Sequence, residues 1–192
     1  METDAWWALI ERARAVAGDR ADDRDPPDDP LPQALTDLLA ALDPAEIIAF
    51  DLLLTRVCDS AYTRPLWIAA DLIEGGCGDD GFMDFRSGLI LLGRETFTRA
   101  VADPDSLAGL PVVVRMSEDE SGWIGCEDVS YAARSAYKLA TGETDSFDAA
   151  VEAGVRAMDR PRRPSGEGWS MHDEDETRRR LPRLAALFLD ED

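Results

Sequence analysis

Lysine is almost missing from this chain. Lys138 stands alone among 20 basic residues, and the other 19 are arginines. Beside so much Ala, Asp and Leu, that bias reads as GC-rich coding and carries no functional message. Histidine is as scarce: the one copy, His172, lies in an acidic tail, far from any residue it would activate as a base. The three cysteines, Cys58, Cys77 and Cys126, form an odd, scattered set without a Cys-x-x-Cys pair. That excludes a disulfide framework and a structural zinc site and points to a reducing cytosol. No apolar run approaches the roughly 20 residues of a membrane helix. The acidic start Met-Glu-Thr-Asp-Ala-Trp-Trp lacks the basic opening of a signal peptide. Phosphate-binding loop, dinucleotide fingerprint, serine elbow and His-Glu-x-x-His are all lacking.

Acid is what the chain has in excess. Forty Asp and Glu residues give a net charge of −20 and a pI near 4.3. Such a surface repels nucleic-acid phosphates and anionic lipid, so basic proteins and cations are the favoured partners. The simpler reading is that the charge only keeps the protein soluble. With 45% hydrophobic residues in 192, the chain has material for one ordinary core.

Helical spacing dominates. Trp6, Leu9, Ile10, Ala13, Val16 and Ala17 share one face. Leu31, Leu35, Leu38, Leu39 and Leu42 repeat the pattern. Between them, residues 19–30 are polar, proline-rich and without period, so a flexible acidic loop with nothing to bury is expected. Asp43-Pro44-Ala45-Glu46 spells a capping box with proline at the first helical position. Ile47, Phe50, Leu54, Val57 and Cys58 then continue the stripe, and Arg64-Pro65 restarts it. Val129, Ala132, Ala133, Ala136 and Tyr137 form a later stripe closed by Gly142, and a further helix starts at Asp145. The expected fold is mainly α: a single-domain helical array over 1–159, followed by an extended segment and C-terminal helix, 160–192, docked on the same body. Val112-Val113-Val114 leaves room for one or two short strands between Leu110 and Ile124.

The sharpest signals lie in the middle. Leu66, Ala69, Ala70 and Ile73 make a helical face that Gly75-Gly76 ends, because a left-handed residue after a helix favours glycine. Asp79 or Asp80 is expected to cap the next helix, whose buried face holds Phe82, Phe85, Leu89 and Leu92. The motifs Trp6-x-x-Leu-Ile-Glu, Leu66-Trp67-x-Ala69-Ala70-x-Leu-Ile-x-Gly-Gly-Cys-x-Asp79-Asp80-Gly81-Phe82-x-x-Phe85-Arg86, Gly93-Arg94-Glu95 and Asp103-Pro-Asp-Ser-Leu107 together resemble the bacterial "domain of unknown function 4240" family, from Thr3 to about Gly142. The resemblance implies a cytoplasmic, regulator-associated protein and brings no catalytic residue with it. Gly78 replaces an expected serine before the Asp pair. Gly88 stands where a tryptophan is usual, which implies that a nearby pocket or contact has changed shape. The loop at 19–30 looks like an insertion.

Two kinds of chemistry compete at this stretch. Glu74, Asp79, Asp80 and Asp84 are the candidate metal ligands of a small hydrolase, since hard cations take several oxygens from such a loop. Their spacing is not that of a calcium loop, and helix capping explains the Asp pair more simply. Arg86 and Arg94 would hold the loop carboxylates in an ion network or bind an anion. Cys77 sits where a helix dipole would lower its pKa, but the neighbouring carboxylates oppose that. The expected function is therefore a non-enzymatic protein-binding or regulatory module without cofactor, monomeric or weakly oligomeric. Its partner would be a protein, basic in character, and its face would be built from Trp67, Asp79, Asp80, Phe82, Asp84 and Arg86.

Overall fold

The computed structural model describes residues 1–24, 29–118 and 121–189. In chain order the α-helices are α1 (Thr3–Ala17), α2 (Leu31–Ala40), α3 (Pro44–Ser60), α4 (Arg64–Glu74), α5 (Asp79–Leu91), α6 (Arg94–Ala102), α7 (Pro111–Ser117), α8 (Asp128–Thr141), α9 (Asp145–Arg156), α10 (Glu174–Arg180) and α11 (Pro182–Phe188). Two 3-10 segments, Gly18–Asp22 and Pro104–Gly109, join them. The molecule is a single all-α domain. Its one β feature among the described residues is an isolated bridge between Thr63 and Ser165.

Among the described residues between Leu110 and Ile124 no strand forms. Val112 to Val114 belong to α7, where Pro111 sets the first helical φ, and Val112 and Val113 are buried. Tertiary burial outweighs the β preference of three valines, which is only a weak local bias.

The stripes become the core. Trp6 on α1 is fully buried, stacks on Phe50 of α3 at 5.2 Å and donates its indole N–H to the Phe50 carbonyl at 3.0 Å. α8 lies against both α2 and α3, and α1 packs on α2. The capping box that opens α3 is present. Val16 departs from its stripe and is exposed.

Residues 19–30 hold the main surprise. Asp25 to Asp28 lie outside the described residues, but the expectation that nothing here is buried fails just before them. Ala21 is buried, and Arg24 is only 1% exposed. The Arg24 guanidinium donates to the carbonyls of Gly88 at 2.8 Å and Ile124 at 3.0 Å, and pairs with Asp29 at 2.9 Å. Gly88 makes this possible. A Cβ there would stand 1.8 Å from the Ile124 carbonyl oxygen, so only glycine lets that strand of backbone approach α5. The position thus opens no pocket: the 124–126 backbone fills it.

Candidate functional site

The turn between α4 and α5 is built by Asp71 and two glycines. Gly75 sits at φ +67°, left-handed, and the Gly76 amide donates to the Asp71 carbonyl at 2.9 Å. The Asp71 carboxylate accepts the Cys77 amide at 2.8 Å, and the Trp67 indole N–H holds the Cys77 carbonyl at 2.7 Å. Every polar backbone group at Cys77 is therefore engaged locally. The thiol is buried and pushed up to about 12, by burial first and then by Glu74. Burial and the neighbouring carboxylates thus disfavour the thiolate that a nucleophilic cysteine needs.

The Asp pair does not cap α5. The N-cap is Gly78, and Asp79 and Asp80 occupy the exposed first turn without accepting a backbone N–H. They still complement the helix dipole. The Gly78 backbone is already extended (φ −73°, ψ −174°), so the helix starts one residue earlier than a side-chain cap would require.

The four candidate ligands diverge. Asp79 and Asp80 open into a cleft with Asp59, Tyr62, Arg86 and Arg160. Asp84 lines a second cleft with Trp123, Glu127 and Asp128, and Glu74 a third with Met116, Trp123 and Phe188. No group of three His, Cys, Asp or Glu side chains among the described residues has the geometry to hold a metal ion. Glu74 accepts the Gly125 amide at 3.3 Å, yet burial pushes its carboxyl up to about 7. Asp84 is also raised, by burial and then by Glu127 and Asp80. Its Oδ1 is sealed and has no hydrogen-bond partner.

The expected ion network around Arg86 and Arg94 is not there. Arg94 reaches Asp4 on α1 instead, at 2.7 Å, while its amide is held by Glu11 at 2.9 Å. Arg86 meets no carboxylate among the described residues. Its Nε donates to the Phe82 carbonyl at 3.1 Å and its Nη1 to the Cys58 carbonyl at 2.9 Å. The guanidinium carbon lies 4.8 Å from the Tyr62 ring centre and 4.9 Å from that of Phe82. Phe82 is fully buried and stacks on half-buried Trp67 at 4.9 Å, so these rings position Arg86 and offer little surface of their own.

The sequence reading missed the other half of this surface. Trp123 is 41% exposed and Tyr131 52%, and the Tyr131 hydroxyl donates to Glu127 at 2.8 Å. Glu127 and Asp128, both exposed, join Asp84 here, and none of the three has an Arg or Lys within 4 Å among the described residues. Trp123 lies in a Gly-rich stretch without period, so its place beside α5 has no local signal. His172 is exposed, with its amide held by Ser170. No helix among the described residues is long and apolar enough to cross a membrane.

Compared with known proteins, residues 1–139 match the family described as "Protein of unknown function (DUF4240)", and the chain belongs to that family. Neither the curated proteins nor the solved structures yield a match.

Proposed function

We propose that this member of the family is a non-enzymatic protein-binding or regulatory module of the bacterial cytoplasm. It docks a basic segment of a partner protein on the face where α5 meets the start of α8. The observation that carries this reading is the unpaired acid set Asp84, Glu127 and Asp128 around exposed Trp123 and Tyr131. Elsewhere carboxylates are paired with arginines, as Asp59 is with Arg160 and Asp148 with Arg134. Here the charges stand together instead: Asp84 is raised by burial first and then by Glu127, and Tyr131 is raised by its hydrogen bond to Glu127. Arginine or lysine from a partner would offset those charges and lie over the two rings. The three free cysteines suit a reducing compartment. The alternative, a metal-dependent hydrolase on Glu74, Asp79, Asp80 and Asp84, has less support, because those side chains open into three different clefts.

The test is titration with an arginine-rich peptide, followed through Trp123 fluorescence. Neutralising Asp84, Glu127 and Asp128 as amides should weaken binding at least about tenfold, as should Trp123→Ala, whose binding is read by isothermal titration. Neutralising Glu2, Asp19 and Glu95, an equal charge elsewhere, should change it little. Equal loss from both sets would reduce the interaction to net charge and end the proposal.

A further inference from the structure

A second cleft lies along α5, lined by other residues than the one that holds Asp84. Arg86 is only 8% exposed, and its charge has no carboxylate partner. Carbonyls and rings orient a buried cation but leave its full charge in place, which is costly unless an anion joins it. Among the described residues Nη2 has no hydrogen-bond partner; it is not among the sealed side-chain atoms, and Arg86 lines an open cleft. The cleft has a volume of about 550 Å³, within the range of small-molecule sites.

Its charges are arranged in order. The acid that Arg86 senses, Asp59, is already held by Arg160 through two hydrogen bonds of 2.7 and 2.8 Å. That pair is neutral as a unit, so the positive charge of Arg86 is left over. Exposed Arg162, also on the rim, has no ion-pair or hydrogen-bond partner among the described residues. At the far end stand Asp79 and Asp80, exposed and without a cation within 4 Å among the described residues. Asp79, Met83 and Arg86 are spaced i, i+4, i+7, one stripe of α5. At 1.5 Å per residue the backbone positions of Asp79 and Arg86 are about 10 Å apart along the helix, and the Arg86 side chain, bonded to the Phe82 carbonyl, turns back towards the aspartates. Met83 lies between them and is 46% exposed. The lining therefore reads cation, apolar stem, anion.

We propose that this cleft binds a small extended zwitterion of the ω-amino carboxylate class. Its carboxylate meets Arg86 and Arg162, its methylene stem crosses Met83, and its ammonium group meets Asp79 and Asp80. A simple anion gains Arg86 but meets the two aspartates at the rim. A simple amine gains the aspartates but leaves Arg86 uncompensated. Polyanions are repelled. This site is separate from the α5–α8 face, so either reading can fail without the other.

The probe is 6-aminohexanoate, compared with hexanoate and hexylamine, by isothermal titration and by the side-chain Nε–H resonance of Arg86 in nuclear magnetic resonance. The expected result is saturable binding of 6-aminohexanoate with a shift of that resonance, and binding at least about tenfold weaker for each single-charge analogue. Arg86→Gln should abolish it. Because that change also strips the Phe82 and Cys58 carbonyls of their donor, two sets of exposed rim variants carry the test independently. Arg162→Gln should weaken 6-aminohexanoate several-fold, and Asp79→Asn with Asp80→Asn should bring it down to the strength of hexanoate. No saturable binding up to about 10 mM would overturn the proposal. So would binding indifferent to both sets of rim variants, or hexanoate binding as well as 6-aminohexanoate.

Discussion

At the scale of single residues, the structure puts its strain and its charge in a few named places. Gly88 is one. Gly88→Ala drives a methyl into the Ile124 carbonyl and should cost at least about 2 kcal/mol in urea unfolding, since backbone rather than a flexible side chain must move. Full tolerance would mean that the 124–126 segment sits farther from α5 in solution. Arg24 is another. Arg24→Met leaves Asp29 buried without its cation and two carbonyls without a donor, a loss of about 3–5 kcal/mol. Glu74 gives a pH signature. Unfolded, it releases its proton near 4.5; folded, burial holds the proton up to about 7. The folded chain therefore binds more protons between those values, and stability falls as pH rises through that window. Asp51, raised to about 6 mainly by burial, acts in the same direction. Glu74→Gln keeps an oxygen for the Gly125 amide and removes the charge. It should raise stability at pH 8 by at most about 2 kcal/mol, after allowance for partial exposure, and change little at pH 4. A benefit equal at both pH values would show that Glu74 does not titrate in this range.

At the scale of elements, remote carboxylates do the work that local caps usually do. The Arg94 amide at the start of α6 is held by Glu11 from α1, so two motifs far apart in sequence meet in space. Asp105, buried within Asp103-Pro-Asp-Ser-Leu107, accepts the amides of Arg183 and Leu184 at 3.0 and 2.9 Å and the Arg183 Nε at 3.0 Å. It thereby anchors α11, which lies beyond residues 1–139, the part that matches the family. Asp105→Ala strips that helix start of its acceptor and should cost about 2 kcal/mol. Amide exchange should speed up across Pro182–Phe188 before it does in α8. Uniform acceleration through the whole chain would show that α11 has no separate opening and is fused to the global unfolding unit.

At the scale of the whole molecule, the net charge of −20 sets the outward behaviour. Self-repulsion of that size is relieved by screening. Raising ionic strength from about 10 mM to 150 mM should therefore lift Tm by a few degrees. An unchanged Tm would mean that local pairs, such as Arg134–Asp148 and Arg160–Asp59, already compensate the surface. The same field predicts no tight binding to duplex DNA. Salt-sensitive binding below micromolar would reveal a basic face.

The sequence by itself determined the helical class, the order of the stripes and much of the core. Trp6, Ile10, Leu35, Phe50, Phe82 and Tyr137 follow from helical spacing, and burying such a stripe is the dominant local demand on each segment. It determined the turn at Gly75 for the same local reason, because a left-handed residue is written in the chain as glycine. Only the tertiary structure decided where charge ends up. It chose Gly78 over Asp79 as the cap, separated Glu74 from Asp79, sent Arg94 to Asp4 and left Arg86 with carbonyls and rings. It also drew Arg24 out of an acidic loop into the core. Several of these pairings join residues far apart in the chain: the Arg24 contacts with Gly88 and Ile124 span 64 and 100 positions. Periodicity cannot carry them, because an ionic side chain has no preferred partner until packing brings one within reach and removes the water between them.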